Sequence, residues 1–347
     1  MSSPRYQGVD TTRGLAMALM TSTHALRALR PDASPEFGQW LMRIEPIIPT
    51  LFFLVAGWGL ARSRYRSGHT SGWASRHIRR ALALWALSAA MFFCYSGPQW
   101  PEILTSTGVL QCLAASILVG TLLGSATRAA LGSLAFASAF VWLDARGIRI
   151  DGINNGSFPL LPFLPIFLAA QAIEHPLRQR SWIQPAFATA GAVLILVLSA
   201  NVGFRNLWGD WGVTNTFQEY VRTAHSGWNG FALARDIAAG APLETYSVGF
   251  WSTLPRLVPV MVALGGLAAL FLCAVADRFP DRLRPLALLG RHSLPYYVGH
   301  LIVLGALGLF LPPPLRSLSW SWLVATLLVI GLGTGLFAWR ESRGDRK

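Results

Sequence analysis

The fold is decided by the stretch Asp10-Thr11-Thr12-Arg13-Gly14-Leu15-Ala16-Met17-Ala18-Leu19-Met20-Thr21-Ser22-Thr23-His24. It begins with an acid and a base, continues with small and apolar residues, and reaches a lone histidine. At about 1.5 Å of rise per residue, Arg13 and His24 would lie about 16 Å apart along one helix, roughly half the thickness of a bilayer core. An ionisable side chain at that depth is costly, so His24 is a candidate functional residue.

The composition places the whole chain in a membrane class. Of its 347 residues, 53% are hydrophobic, only 13% are charged and 14 are tryptophan, which is typical of a polytopic membrane protein. Nucleic-acid-binding proteins also reach a net charge of +13, but here the basic residues form short clusters between apolar runs, as the positive-inside rule requires. We therefore expect a membrane partner and no nucleic acid. The three cysteines lie in apolar runs without metal-ligand spacing, which predicts neither a disulfide nor a metal site.

Apolar runs of about 17 to 25 residues predict ten transmembrane helices in a single all-α domain that spans residues 1–347. The predicted spans are 12–29, 45–61, 79–96, 104–123, 129–144, 158–174, 184–203, 256–276, 290–311 and 319–339. The connection 62–80 contains six arginines and no acid. Placing it in the cytoplasm puts both termini on the cytoplasmic side.

The long connection 204–255 is expected to form an ordered external cap, because it is rich in aromatic residues. Aromatic faces pack on sugar rings while neighbouring polar groups bind the hydroxyls, so such a cap suits a carbohydrate. A membrane-interface aromatic belt explains the same composition.

Arg13 and His24 are eleven residues apart, which is close to three helical turns, so both side chains should project from one face. A histidine in this position can act as a general base for a sugar hydroxyl or amine. The structural alternative is a histidine that packs between helices and bonds to a backbone carbonyl.

Two further groups of charged residues bear on this histidine. Glu45 begins the second span, where an acid suits a helix N-terminus; in the functional interpretation its carboxylate orients or charges His24. Arg76, Arg79 and Arg80 precede the third span and offer forked donors suited to phosphates. A charge cluster that only sets the topology, with no ligand, is the alternative.

Polar residues recur within later spans. Gln111 lies inside the fourth span, where its amide needs a hydrogen-bond partner that helix association would supply equally well. Ser293, Tyr297 and His300 are spaced by four and three residues and so share one helix face, either as a ligand-lining stripe or as a packing network. The chain contains no GxSxG, Walker A, HExxH or strand-linked GxGxxG motif, so hydrolase, NTPase, zinc protease and dinucleotide-binding functions lack support.

Taken together, these segments resemble the transmembrane acyltransferase superfamily, in particular its heparan-α-glucosaminide N-acetyltransferase-like branch and the related acyltransferase-3 family. The resemblance is carried, in family order, by Val9-Asp10-Thr11-Thr12-Arg13-Gly14 through His24, Leu51-Phe52-Phe53-Leu54-Val55-Ala56-Gly57, Gly108-Val109-Leu110-Gln111, Phe158-Pro159-Leu160-Leu161-Pro162 and Tyr297-Val298-Gly299-His300. It implies that acyl-CoA, usually acetyl-CoA, is engaged from the cytoplasm and that the acyl group reaches an acceptor on the far side, commonly a sugar.

The resemblance also implies residue roles. The Arg-ten-residue-His pattern of acyltransferase-3 proteins matches Arg13 and His24, their Arg-x-x-Arg pattern matches Arg76 and Arg79, and the family's histidine is the proposed base. One departure concerns the N-acetyltransferase branch, which places a catalytic histidine between its first two spans, whereas residues 29–44 contain none. We therefore favour direct transfer with His24 as the base.

The sequence thus predicts an acyl-CoA-dependent O- or N-acyltransferase of a bacterial inner membrane, which modifies an extracytoplasmic glycan or glycolipid. The predicted catalytic residues are His24, Glu45 and His300, the donor-binding residues are Arg13, Arg76, Arg79 and Arg80, and the chamber-lining residues are Asp10, Gln111, Ser293 and Tyr297, with Asp10 also suited to pair with Arg13. A membrane transporter or flippase and a structural membrane protein are the alternatives. The acceptor, the acyl chain length and the oligomeric state, monomer or homodimer, stay open.

Overall fold

The computed structural model describes residues 7–29, 47–67, 72–96, 108–146, 148, 150, 153, 160–179, 278–279, 281–316 and 318–344. Regular structure within these ranges is entirely helical, which confirms the predicted all-α class. The helices are α1 (Gln7–Leu29), α2 (Ile47–Arg66), α3 (Gly72–Ser96), α4 (Val109–Leu123), α5 (Ala126–Ala145), α6 (Leu160–Gln179), α7 (Arg284–Arg291), α8 (Ser293–Phe310), α9 (Pro313–Arg316) and α10 (Ser321–Gly344).

A helix is found at every predicted span that falls within the described ranges. The spans predicted at 184–203 and 256–276 and the cap predicted at 204–255 lie outside the described residues. Two of the observed helices, Ser293–Phe310 and Ser321–Arg343, are long and apolar enough to cross a membrane. The count of ten spans, the cytoplasmic termini and the single domain stay predictions.

The predicted span 290–311 is interrupted near its start. Helix α7 ends at Arg291 and α8 begins at Ser293, with His292 between them at φ −106 and ψ 33. Pro295 explains the break, because a proline ring clashes with the carbonyl four residues earlier, which here belongs to Arg291. The break separates a short helix from the longer helix that carries His300.

Helices α1, α7, α8, α9 and α10 form one compact unit, here called the histidine unit. Helix α1 packs against α7, α8 and α10. Two glycines permit a close approach of α1 and α7: a Cβ at Gly14 would lie 2.6 Å from the carbonyl carbon of Leu286, and one at Gly290 would lie 2.7 Å from that of Asp10. The two backbones are therefore in direct contact, as small residues allow at helix interfaces.

The remaining helices, α2 from Pro49 onward through α6, form a second unit, here called the arginine unit. Within it α3 packs against α4, α5 against α6, and α4 against α6. Its core contains the fully buried Phe53, Phe163 and Phe167, and the rings of Phe53 and Phe163 stack with centroids 5.0 Å apart.

Large apolar side chains also face outward from the two candidate membrane-spanning helices. Those with more than two fifths of their surface exposed include Ile302, Leu309, Phe310, Leu327, Leu332 and Leu336. An apolar outer surface of this extent is unusual for a protein in water and is typical of a surface that contacts lipid or another apolar partner.

Candidate active site

The histidine of the first helix meets a second histidine from α8. His24 is only 7% exposed and His300 only 1%, and Nδ1 of His24 lies 2.8 Å from Nε2 of His300. The two rings also stack, with centroids 5.0 Å apart and planes 17° from parallel. Two residues that the sequence analysis selected from opposite ends of the chain are therefore in direct contact.

The hydrogen bonds around His300 assign the proton on each neutral ring. Nδ1 of His300 lies 3.1 Å from the backbone carbonyl oxygen of Tyr296, and because a carbonyl can only accept, Nδ1 is the donor. Nε2 of neutral His300 is then an acceptor, so His24 donates through its own Nδ1. Neutral His24 consequently has its lone pair on Nε2, as a general base requires.

Tyr296 connects the same two helices a second time. Its hydroxyl lies 2.9 Å from Oγ1 of Thr21, which itself donates to the carbonyl of Met17 at 2.9 Å, so the tyrosine is the donor to Thr21. The Tyr296 ring also stacks on His300, with centroids 5.7 Å apart. The sequence analysis selected Tyr297 instead; Tyr297 is half-buried and meets the His300 ring edge-on at 5.6 Å.

A charged cluster lies near the start of α1. The buried carboxylate of Asp10 lies 3.7 Å from Nη1 of Arg13 and 3.7 Å from Nε of Arg291. Nη1 of Arg291 donates to both carboxylate oxygens of Glu341, at 2.9 and 3.1 Å. The predicted pairing of Asp10 with Arg13 is present, and the cluster joins α1, α7 and α10. The sequence analysis did not select Arg291 or Glu341.

Arg13 was predicted to bind donor phosphate, and its surroundings bear on that role. Its guanidinium is shared between the Asp10 carboxylate and the backbone carbonyl of Gly290, to which Nη1 donates at 3.4 Å. Because an existing carboxylate partner competes with a phosphate, Arg13 is less available to a donor than an exposed arginine would be.

The other predicted donor-binding residues belong to the arginine unit. Arg76, Arg79 and Arg80 are all exposed in the first part of α3, and Nε of Arg79 donates to the carbonyl of Ser75 in its own helix at 3.4 Å. Exposed guanidinium groups in this arrangement are accessible to an anionic ligand.

A polar contact that the sequence analysis missed joins α2 to α3 beside these arginines. Oγ of Ser63 lies 2.8 Å from Nε2 of His77 and accepts a hydrogen bond from Nε1 of Trp73 at 3.1 Å. Burial, followed by the charges of Arg80 and Arg76, lowers the pKa of His77. The imidazole is therefore neutral at pH 7 and can accept the serine proton.

The last predicted site residues have separate positions. Gln111 is buried in α4 of the arginine unit, and Ser293 is half-buried as the first residue of α8. Glu45 and its predicted contact with His24 lie outside the described residues. In the part of the chain that the structure describes, no three histidine, cysteine or acidic side chains come together as a metal site would require.

Comparison with known proteins gives the class to which this site belongs. Residues 5–207, more than half of the chain, match the family described as heparan-alpha-glucosaminide N-acetyltransferase, catalytic, so the protein is a transferase. Two helices apolar enough to cross a membrane accompany this match, as in an integral membrane enzyme. No curated protein matches the chain.

The chain belongs to the heparan-α-glucosaminide N-acetyltransferase catalytic family, as the resemblance of its motifs predicted. The matched residues include His24 and helices α1 to α6, whereas His300, Tyr296 and Arg291 lie beyond them. Half of the histidine pair is thus supplied by a part of the chain that the family match does not reach.

Proposed function

We propose that the protein is an integral membrane acyltransferase that moves an acyl group, acetyl in the first instance, from cytoplasmic acyl-CoA to a hydroxyl or amine of an extracytoplasmic sugar. Family membership supports the transfer chemistry, and the apolar outward faces of α8 and α10 support the membrane setting. The acyl-CoA donor, the glycan or glycolipid acceptor and a bacterial inner membrane follow from the family resemblance and from the distribution of arginines.

His24 is the general base in this proposal. Its Nε2 takes the proton from the acceptor hydroxyl or amine while that oxygen or nitrogen attacks the thioester carbonyl. The carbon–sulfur bond of the donor breaks, and His24 gives the proton to the departing thiolate. The products are an ester or amide and free coenzyme A, and His24 is neutral again for the next cycle.

His300 acts through His24 and does not need to touch the substrate. By accepting the Nδ1 proton of His24, it keeps the lone pair on Nε2 and holds the plane of the ring. The same hydrogen bond stabilises the imidazolium that forms when His24 takes up the acceptor proton. Acidic residues hold the catalytic histidine in a similar way in serine hydrolases.

The exposed arginines of α3 bind the donor phosphates in this scheme. Arg76, Arg79 and Arg80 present forked donors, and the connection 62–80 contains no acid to compete for them. Arg13 contributes less, since Asp10 already pairs with it.

The observation that carries the proposal is the 2.8 Å hydrogen bond between His24 and His300, with the lone pair directed to Nε2 of His24. The test uses the purified full-length chain in liposomes, with radiolabelled acetyl-CoA and glucosamine as the acceptor. His24→Gln should still bind acetyl-CoA but should transfer acetyl about 10²- to 10⁴-fold more slowly, because the base is lost. His292→Gln is the matched control, a half-buried histidine of the same unit that faces Glu341; it should keep activity within about threefold.

Two outcomes would contradict this function. Unchanged acetyl transfer by His24→Gln would show that the imidazole is not the base. Failure of the wild-type chain to bind acetyl-CoA, together with movement of a polar solute into the liposomes, would favour the transporter that the sequence left as an alternative.

A further inference from the structure

Two polar contacts cross from α1 to α8, one helical turn apart. Thr21 and His24 are three residues apart on α1, and their partners Tyr296 and His300 are four residues apart on α8. Residues at these spacings lie on one face of a helix, one above the other. The Thr21–Tyr296 bond therefore lies directly beside the His24–His300 bond.

Tyr296 is buried and is in contact with other residues on several sides. It is 3% exposed, and its hydroxyl donates to Thr21. One face of its ring lies along His300 with the planes 13° from parallel, and a Cβ on Gly333 of α10 would lie 2.6 Å from its Cε2 and 2.7 Å from its Cδ2. The ring is thus confined by three different helices of the histidine unit.

The backbone of the same residue sets the proton position on His300. Its carbonyl accepts the Nδ1 proton of His300 at 3.1 Å, and this bond is what makes Nε2 of His300 the acceptor for His24. Tyr296 therefore contacts His300 through its carbonyl and its ring, and it contacts α1 through its hydroxyl.

We infer that Tyr296 is a positioning residue, which together with Thr21 and Gly333 fixes the register of α1 on α8 and so keeps the lone pair of His24 on Nε2. The inference rests on the proposed role of His24 as a base, which it deepens. A shift of about 1 Å between the helices would lengthen the 2.8 Å bond beyond hydrogen-bonding distance. The base would then lose both its orientation and its tautomer, while the donor-binding arginines of the other unit would be unchanged.

The first test alters the space around Tyr296. Gly333→Ala places a methyl group where the tyrosine ring now lies, so we expect acetyl transfer to fall about 10- to 100-fold in kcat with little change in KM. Gly331→Ala and Gly335→Ala are matched controls on the same helix, since, apart from the adjacent residues and the nearby backbone of α10 itself, no described atom lies within 4 Å of a Cβ at either position. Both should keep kcat within about twofold. Equal activity of all three variants would overturn the inference.

The second test removes the hydroxyl contact without changing the volume. Tyr296→Phe and Thr21→Val should each lower kcat about three- to tenfold, because one buried hydrogen bond is lost. The double variant should be no slower than the slower single variant, since both substitutions break the same bond. Thr334→Val is the control, because the Thr334 hydroxyl donates only to carbonyls of its own helix. Fully additive losses would contradict a shared role.

A third measurement separates this inference from the proposed function. Nitrogen NMR of histidine-labelled protein reports which ring nitrogen of each imidazole carries the proton, whether or not the protein transfers acetyl. Wild type should show His24 protonated at Nδ1, and Gly333→Ala should show mixed tautomers. If the wild-type signature is lost in Gly333→Ala but His24→Gln transfers acetyl normally, the positioning stands and the function fails. An unchanged tautomer in Gly333→Ala would overturn the positioning while leaving the function intact.

Discussion

Substitution of Gly14 by alanine tests the close contact between α1 and α7. The added Cβ would overlap the carbonyl oxygen of Leu286 and lie 2.6 Å from its carbonyl carbon, whereas two carbon atoms normally approach to about 3.5–4.0 Å. The helices must therefore separate by at least about 1 Å. Overpacking of this kind costs about 1–3 kcal/mol, and the 3.4 Å hydrogen bond from Arg13 to Gly290 would be lost in addition.

The measurement is thermal unfolding of the purified chain in a neutral detergent, with Gly299→Ala as the control. Apart from the adjacent residues and the nearby backbone of α8 itself, no described atom lies within 4 Å of a Cβ at Gly299, and alanine is favoured over glycine in a helix interior by about 0.5–1 kcal/mol. We expect Gly14→Ala to lower Tm by about 2–6 °C and Gly299→Ala to leave Tm equal or slightly raised. Equal melting of the two variants would show that the helices are not in backbone contact at Gly14.

Two further predictions concern charged groups. The pKa of His77 is lowered in the folded chain by burial and by Arg80 and Arg76. The unfolded chain therefore binds more protons below about pH 6.5, and the stability of the folded chain should fall as the pH drops through that value. The Tm of wild type should decline more steeply between pH 7 and 5 than that of His77→Gln, and parallel declines of the two Tm values would contradict this origin. Glu341→Gln leaves the part-buried Arg291 with weaker partners, so urea unfolding should show that the free energy of unfolding falls by about 1 kcal/mol and that this loss is smaller in high salt. A loss that does not depend on salt would indicate a packing effect instead.

Hydropathy predicted the helices well, and the sequence selected both residues of the histidine pair: His24 from its position in an apolar run and His300 from its spacing on the later span. Long apolar runs must form helices in lipid because every backbone group needs an internal partner, which explains why α1 and α8 were found where the sequence placed them. His24 was identified because a lone ionisable residue in such a run is costly. Both predictions, the helices and His24, use only the local sequence.

The tyrosine of α8 that contacts α1 was harder to predict than His300, because the sequence analysis selected Tyr297 and the contact is made by Tyr296. The spacing of Ser293, Tyr297 and His300 indicated a polar stripe, but the buried residues of α8 include Tyr296 and His300, so the contact face is centred one residue away. The sequence of α8 has tyrosines at both 296 and 297, and it does not show which of them meets a neighbouring helix. In the structure Tyr296 faces the Thr21 hydroxyl on α1, which lies 275 residues away in the sequence.

The charged cluster also shows that a contact between residues far apart in the sequence is hard to predict from the sequence. The Asp10–Arg13 pair was predicted because the two residues are one helical turn apart. Arg291 and Glu341 are separated by 50 residues, and no periodicity connects them. Arg291 is the last residue of α7, directly before the break at His292 that the continuous span predicted over 290–311 did not include.

The sequence separation of the two histidines has a consequence for biosynthesis. His24 and His300 are 276 residues apart, and ribosomes add about 5–20 residues per second, so α1 is made roughly 14 to 55 seconds before its partner imidazole. During that interval the nascent helix holds a histidine and a threonine that the finished protein buries against α8. Until α8 is complete, the contacts of Thr21 with Tyr296 and of His24 with His300 cannot form.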